Sequence, residues 1–400
     1  MKTFALVLVL VPVVVALYGY FGYPMVLWMM ARAKKSPVMR NDSFAPRVSV
    51  VIPAYNEEHQ IGAAIDAVLA QNYPLDRMQI LIMSDASTDG TDSIVESYAA
   101  RGVELLRMPE RSGKTKMENT AAPLLRGDII VNTDASIRLH EAAVRELVAA
   151  MTDPTVGVAT GRDLSISAMG ESVNATEKGY VNYEMWVRSL ETATGGIVGA
   201  SGSCYAILAE LHRIPIRSDL SRDFSAALTA RRHNLKAVSV DSALCFVPRT
   251  ASLGREYRRK VRTIARGMNT LYDNRELLDP ARYGGFALKL ASHKICRWLV
   301  PIAAIPALAG LVLLAGSAQW ARVLLAMAGI VVVLAIVGAL WPTGRTPPRI
   351  VSLAAFTLAA NLAVVHAFWK LLSGHQNQIW EPTRRAGRPA QNDARASTTR

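Results

Sequence analysis

Asp134 closes the run Ile129-Ile130-Val131-Asn132-Thr133-Asp134, so a carboxylate stands where an apolar, β-branched stretch ends. Asp85 repeats the arrangement after Gln79–Met83, and Tyr55, Asn56 and Glu57 follow the stretch Arg47–Pro53. Carboxylates at strand ends have two common uses. One accepts hydrogen bonds from a nucleobase or sugar, and the other holds a divalent cation against a diphosphate. Mg²⁺ takes only one or two protein carboxylates when substrate phosphates complete its shell, so Asp134 alone suffices. The plainer reading of both aspartates is a turn or helix cap. Lys114, in Arg111-Ser112-Gly113-Lys114-Thr115-Lys116, adds a cation or merely a solvated charge at a helix start. Asp223 precedes Phe224–Arg232, either as the N-cap of that helix or as a proton acceptor.

Two phosphate-binding signatures are missing. Gly113-Lys114-Thr115 suggests a P-loop, but position 108, where the first glycine of that loop belongs, is Met. No GxGxxG follows the first strand; Ala54-Tyr55-Asn56-Glu57-Glu58-His59 stands there. A P-loop NTPase and a nicotinamide enzyme are thereby disfavoured.

The elements that must hold these residues alternate. Strands are expected at Arg47–Pro53, Gln79–Met83, Val103–Leu106, Asp128–Val131 and Val156–Thr160. Helices are expected at Glu57–Gln71, Thr91–Ala100, Lys114–Leu125 and Glu141–Met151. Such alternation implies an α/β domain with a mainly parallel sheet, whose ligands bind beyond the carboxyl ends of the strands. Asp85, Asp134 and Tyr55–Glu57 all fall there. After residue 165 the pattern loosens into a helix near 170–190, a Gly-rich piece at 195–203 and a helix near Asp223. Residues 255–278 carry an apolar stripe (Tyr257, Val261, Ile264, Ala265, Met268, Leu271) beside Arg255, Arg258, Arg259, Lys260, Arg262 and Arg266. A helix of that kind lies in the lipid interface.

The 400 residues are 51% hydrophobic, and the apolar ones are unevenly placed. Residues 3–30 contain no charged side chain, long enough to span a bilayer and too long for a signal-peptide core, with no small-residue cleavage site after them. Arg32, Lys34 and Lys35 place the following domain in the cytoplasm by the positive-inside rule. Apolar stretches at 298–317, 320–341 and 350–372 add three spans. Four spans put the basic tail, with Arg384, Arg385 and Arg388, on the outer side, against that rule. Cys204, Cys245 and Cys296 form neither a CxxC pair nor an even framework, as expected of cytosolic thiols. The net charge of +13 does not imply nucleic acid, because the basic residues cluster beside spans and lack interleaved aromatics.

Five motifs then occur in a telling order: VSVVIPAYNEE (48–58), MSDASTDGT (83–91), GKTKMEN (113–119), VNTDAS (131–136) and RDFSAAL (222–228). In this order they resemble the membrane-bound family-2 glycosyltransferases, the group of cellulose, chitin-oligosaccharide and hyaluronan synthases. The resemblance is strongest over about 50–300, and a closing WEPTRR (380–385) adds to it. It implies a GT-A nucleotide-sugar-binding domain with one N-terminal and several C-terminal transmembrane helices in a bacterial plasma membrane. It also implies a UDP-sugar donor, inversion at the sugar carbon, and Mg²⁺ or Mn²⁺ as cofactor. On that basis Tyr55 and Glu57, with Ala54 beside them, meet the uridine, and Asp85 accepts from the uracil ring. Lys114 sits near the donor's base or diphosphate, Asp134 holds the metal, and Asp223 is the general base. Arg259 and Arg262, on one helix face, approach the diphosphate, with contact to lipid headgroups as the plainer alternative.

Three departures from the family pattern stand out, over four positions. Ser136 stands where a second acidic residue or Asn is common, and Arg222 replaces the Glu before the base. Thr263 and Arg259 replace the Trp and Gln of the processive synthases' Gln-x-x-Arg-Trp motif, which argues for single transfer. The expected organisation is an anchor over 1–31, the catalytic domain over 45–250, interface helices over 251–297, spans over 298–373 and a basic tail over 374–400. The expected acceptor is a lipid-linked glycan or glycolipid among membrane lipids. Processive polysaccharide synthesis is the runner-up, and a non-catalytic nucleotide-binding receptor subunit is the alternative of another class.

Overall fold

A computed structural model describes residues 1–33, 37–166, 175–248, 253–342 and 347–374. Lys34, Lys35, the basic tail and WEPTRR lie outside the described residues. Eight strands form one sheet: β1 Val48–Ala54, β2 Met78–Ser84, β3 Val103–Arg107, β4 Ile129–Thr133, β5 Arg138–Leu139, β6 Val156–Ile166, β7 Cys204–Leu208 and β8 Lys236–Pro248. Their order is β3-β2-β1-β4-β7-β6-β8-β5. The first four are mutually parallel, as the alternating pattern required. β7 then runs antiparallel to both β4 and β6, and β8 pairs parallel with β6. The sheet is therefore mixed, with its parallel half carrying the strand tips named above.

β1 shows why both faces must be covered. All seven of its residues are buried. Val50 and Ile52 point into a core with Ile61, Ile65 and Val68 of the helix Ile61–Leu69. Val51 points the other way, to Met117, Ala121 and Ile130. The two-residue side-chain period puts alternate residues into opposite layers. Each such fully buried Val or Ile contributes about 1.5–3 kcal/mol.

Among the described residues four helices are long and apolar enough to cross a membrane: Lys2–Ala33, Gly285–Ala315, Gln319–Ala339 and Arg349–Leu372. Leu10, Val312 and Ile330 on them are 56%, 62% and 59% exposed, as lipid-facing side chains would be. The first two helices touch through Gly310, where a Cβ would lie 2.7 Å from the Ala5 carbonyl oxygen, so only glycine permits that approach. The second begins at Gly285, earlier than the expected 298, because a π-helical turn at Ala291–Cys296 carries it back through a polar segment. The helix Leu253–Asp273 turns its apolar stripe onto the last span. Met268 packs with Val364 and Ala367, and Tyr257 Oη lies 3.0 Å from His366 Nδ1.

A junction of buried charge ties the helix Ala175–Ala193 to two spans. Glu191 Oε1 accepts from Tyr23 Oη and from His293 Nδ1 at 2.7 Å. Glu184 accepts from His293 Nε2 at 3.0 Å and from Arg297 Nη1 at 2.8 Å. Lys289 Nζ caps the end of that helix, donating to the carbonyls of Glu191, Thr194 and Gly196 at 3.1, 2.9 and 3.2 Å. The loop that follows, 197–203, enters the cleft described next.

Candidate active site

Beyond the carboxyl ends of the parallel strands lies a cleft of about 290 Å³. It is lined by Glu57, Lys114, Asp134, Ser136, Asp163, Ser201–Ser203, Tyr205, Ser221–Asp223, Arg259, Arg262, Thr263 and Arg266, among others. Six of the nine expected site residues thus share one cavity: Glu57, Lys114, Asp134, Asp223, Arg259 and Arg262. Ala54, Tyr55 and Asp85 do not line it.

Asp134 follows β4 directly, with its side chain 29% exposed. Lys114 is the first residue of the helix Lys114–Ala121, entered through Gly113 at φ +85. A cation there opposes the helix dipole. It is held because its Nζ donates to Asp134 Oδ1 at 2.6 Å. Burial lowers the proton affinity of Lys114, but Asp134 and then Glu118 outweigh burial and leave it raised.

Asp223 sits in the first turn of the helix Arg222–Arg232, whose N-cap is Ser221. Its carboxylate is therefore not the cap; it accepts from Ser221 Oγ. Across the cleft wall, a Cβ at Gly202 would lie 2.9 Å from Asp223 Oδ2. The small-residue run of the 197–203 loop thus admits the carboxylate closely. Thr133 Oγ1 ties that loop to β4 by donating to Ser203 O at 2.9 Å.

Arg222 is buried behind Asp223. It faces the fully buried Glu118 at 3.4 Å and donates to Asn119 Oδ1 at 2.6 Å and His212 O at 2.7 Å. Burial raises the proton affinity of Glu118, and Lys114 and Arg222 only partly offset it. Arg222 thus stands directly before Asp223, and the acid it faces is on the Lys114 helix.

The helix Leu253–Asp273 supplies the membrane-side wall. Arg259 makes a two-pronged pair with Glu256 at 2.8 and 2.6 Å. Arg266 donates to Leu220 O at 2.5 Å, Ser218 O at 3.0 Å and Thr115 Oγ1 at 2.9 Å. It thereby clamps the segment before Asp223 to the Lys114 helix. Arg266 continues the spacing of Arg259 and Arg262 on one face, a signal available in the sequence. Asp163 and Tyr205, on β6 and β7, had no such signal.

The remaining expected residues form a neighbouring layer. Asp85 is fully buried, and its carboxylate accepts from the backbone N–H groups of Ser112 (2.7 Å) and Gly113 (2.9 Å). It fixes the turn that launches Lys114. Tyr55 lies under the Arg111 guanidinium, 4.0 Å from its ring centre. Ala86, beside Asp85, holds φ +55, a strained value for a residue with a Cβ, of the kind that clusters at functional sites.

Among the described residues no group of three or more His, Cys, Asp or Glu side chains could hold a metal ion. The cleft offers Asp134 with the Ser136 hydroxyl nearby. That donor set fits a hard divalent cation only if phosphate oxygens supply most of the shell, the arrangement Mg²⁺ favours.

Residues 49–212 match the model of glycosyl transferase family 2. An N-acetylglucosaminyltransferase of Rhizobium sp. (strain N33) is 27% identical over 168 residues, 40% of this chain and 36% of that protein. The hyaluronan synthase of Streptococcus pyogenes is 29% identical over 167 residues, 39% of each. A probable glycosyltransferase of Bacillus subtilis (strain 168) is 34% identical over 130 residues, 31% of each. The matched segment spans about a third of the length of these relatives. A mannosyltransferase from Pyrobaculum calidifontis, solved with GDP-Man and Mn²⁺, superposes with a TM-score of 0.72 over 94% of this chain and 99% of its own, at 22% identity. That likeness establishes the fold. Residues 49–212 are thus a glycosyltransferase family 2 domain, set in a GT-A-type sheet and joined to four helices able to span a membrane.

Proposed function

We propose that this chain moves a sugar from a UDP-sugar to a membrane-associated acceptor, a lipid-linked glycan or glycolipid, with inversion, at the cytoplasmic face of a bacterial plasma membrane. One observation carries the reading: Asp134 and Asp223, 89 positions apart, open onto the same cleft, with Lys114 between them in charge. The Pyrobaculum calidifontis neighbour, solved with a nucleotide sugar and Mn²⁺, supports a donor of this class.

The roles follow from placement. The acceptor hydroxyl oxygen attacks the anomeric carbon, forming the new C–O bond as the bond to the diphosphate oxygen breaks. Asp223 takes the hydroxyl proton, the task of a general base within hydrogen-bond reach. The electron pair leaves with the nucleoside diphosphate, whose growing charge Lys114 and Arg262 stabilise from the cleft wall. Asp134 would hold Mg²⁺ or Mn²⁺, which supplies further neutralisation of the diphosphate. Ser221 and Gly202 hold the Asp223 carboxylate in place. The interface helix packs on the last span, so an acceptor in the bilayer meets the cleft at its arginine wall. Thr263 on that wall offers no aromatic platform for a growing polymer, which favours one sugar per acceptor over processive synthesis.

Incubating the purified chain and native lipid extract with radiolabelled UDP-sugars, and GDP-mannose as a further arm, tests this. A single labelled lipid product from a uridine donor is expected. A product ladder would favour a synthase. No product from any donor would leave the receptor reading.

A further inference from the structure

We propose that Lys114 stands in for the charge of the divalent cation until the donor arrives, so that metal and nucleoside diphosphate enter the cleft only together. The inference rests on the reading of Asp134 as metal ligand and deepens it by naming what competes for that carboxylate.

Three observations carry it. Lys114 Nζ lies 2.6 Å from Asp134 Oδ1, so the strand-tip carboxylate already has a counter-cation in contact. Asp85 fixes the Ser112-Gly113 turn through two backbone N–H groups, so Lys114 is delivered to Asp134 by a built element rather than by a wandering side chain. Arg262 and Arg266 line the same cleft, so Lys114 is not its only cation and incoming phosphate oxygens meet others.

A dication arriving alone must therefore displace an ammonium from the Asp134 carboxylate. Opposite charges at contact in a partly buried site attract strongly, so that displacement is costly. A nucleoside diphosphate reverses the balance. Its phosphate oxygens give Lys114 a new partner and give the metal the ligands that Asp134 and Ser136 do not supply. Lys114 remains in the field of Glu118 and Asp223 throughout.

The test is Mn²⁺ uptake by the full-length chain in detergent, read from loss of the free-ion electron paramagnetic resonance signal, with and without UDP. In the native chain UDP is expected to tighten Mn²⁺ binding about tenfold or more. Lys114→Met is expected to bind Mn²⁺ alone about tenfold more tightly than the native chain, and to gain less from UDP. Lys114→Arg, which keeps the charge and guards against misfolding as a cause, is expected to behave as native without UDP. Asp134→Asn is expected to abolish uptake in both conditions. Equal Mn²⁺ affinity in native and Lys114→Met chains would overturn the proposal, as would uptake that survives Asp134→Asn. If UDP affects no variant while Lys114→Met still gains Mn²⁺ affinity, Lys114 stands as the counter-cation and the donor reading falls instead.

Discussion

Two clusters of buried charge flank the 197–203 loop, and they are built to opposite rules. At the membrane junction, Glu184 uses both carboxylate oxygens and Glu191 one in direct bonds to His293, Arg297 and Tyr23. Burial alone would raise the proton affinity of both glutamates, but His293, joined by Arg188 and Arg297 at Glu184 and by Tyr23 at Glu191, leaves it lowered. Behind the cleft, Glu118 is fully buried and faces Arg222 at 3.4 Å, but among the described residues neither of its oxygens has a hydrogen-bond partner, and its proton affinity is raised. Lys114 leans on Asp134 at a partly exposed strand tip. The junction lowers the proton affinity of its carboxylates, and the pocket behind the cleft raises that of Glu118. A buried network that satisfies itself holds elements in place, while one left unbalanced is completed by a ligand of the right charge.

Breaking the junction gives the largest expected loss of stability. His293→Ala removes the imidazole that bridges Glu184 and Glu191, a change worth about 3–5 kcal/mol when a buried pair loses one partner. Thermal unfolding in detergent measures it; a loss no larger than that of a surface variant would erase the contrast between the regions.

Gly202→Ala comes next and probes the cleft alone. The added Cβ pushes on the Asp223 carboxylate, the movable end of a side chain, so the fold yields at little cost. Turnover is expected to fall about tenfold or more from misplacement of the base, with the unfolding temperature nearly unchanged. Matching losses in both would show that the loop matters for folding rather than for geometry.

The smallest effect sharpens the comparison most, because its sign differs between regions. The lowered proton affinity of Glu184 contributes stability that is complete above the ordinary glutamate value of 4.5 and lost as pH falls below it. The raised affinity of Glu118 contributes stability present below 4.5 and lost as pH rises through its higher folded value. Glu184→Gln is therefore expected to destabilise at neutral pH, whereas Glu118→Gln stays within about 1 kcal/mol of native or gains. Unfolding temperatures of both variants across pH 4–8 read the two signs; equal slopes would remove the distinction.

The parallel half of the sheet was legible because its strands are short, mostly apolar runs set between helical patterns, as Ile129–Thr133 is before Asp134. The four spans were legible for the same reason, on a longer scale. β7 was not, because Cys204–Leu208 follows a glycine and serine run that reads as loop. β8 mixes Lys236, Ser239, Asp241 and Ser242 into its 13 residues, and only its packing between β6 and β5 explains it. Of the six named site residues that meet in the cleft, Glu57 and Asp134 follow the tips of adjacent parallel strands, while Lys114, Asp223, Arg259 and Arg262 come from three helices. Asp85 shows the limit of that logic: a strand-tip carboxylate can spend its acceptors on a neighbouring turn. Glu118 with Arg222, and His293 with Glu184, pair across more than a hundred positions, and nothing local in the sequence marks either pair.

The central claim is that one cleft grips a nucleotide diphosphate at Asp134 and activates an acceptor at Asp223. Asp223→Asn tests it most directly, with UDP–Mn²⁺ binding and sugar transfer measured on the same preparation. Transfer is expected to fall about 10²-fold or more while nucleotide binding stays at the native level. Native transfer rates in Asp223→Asn would contradict the account.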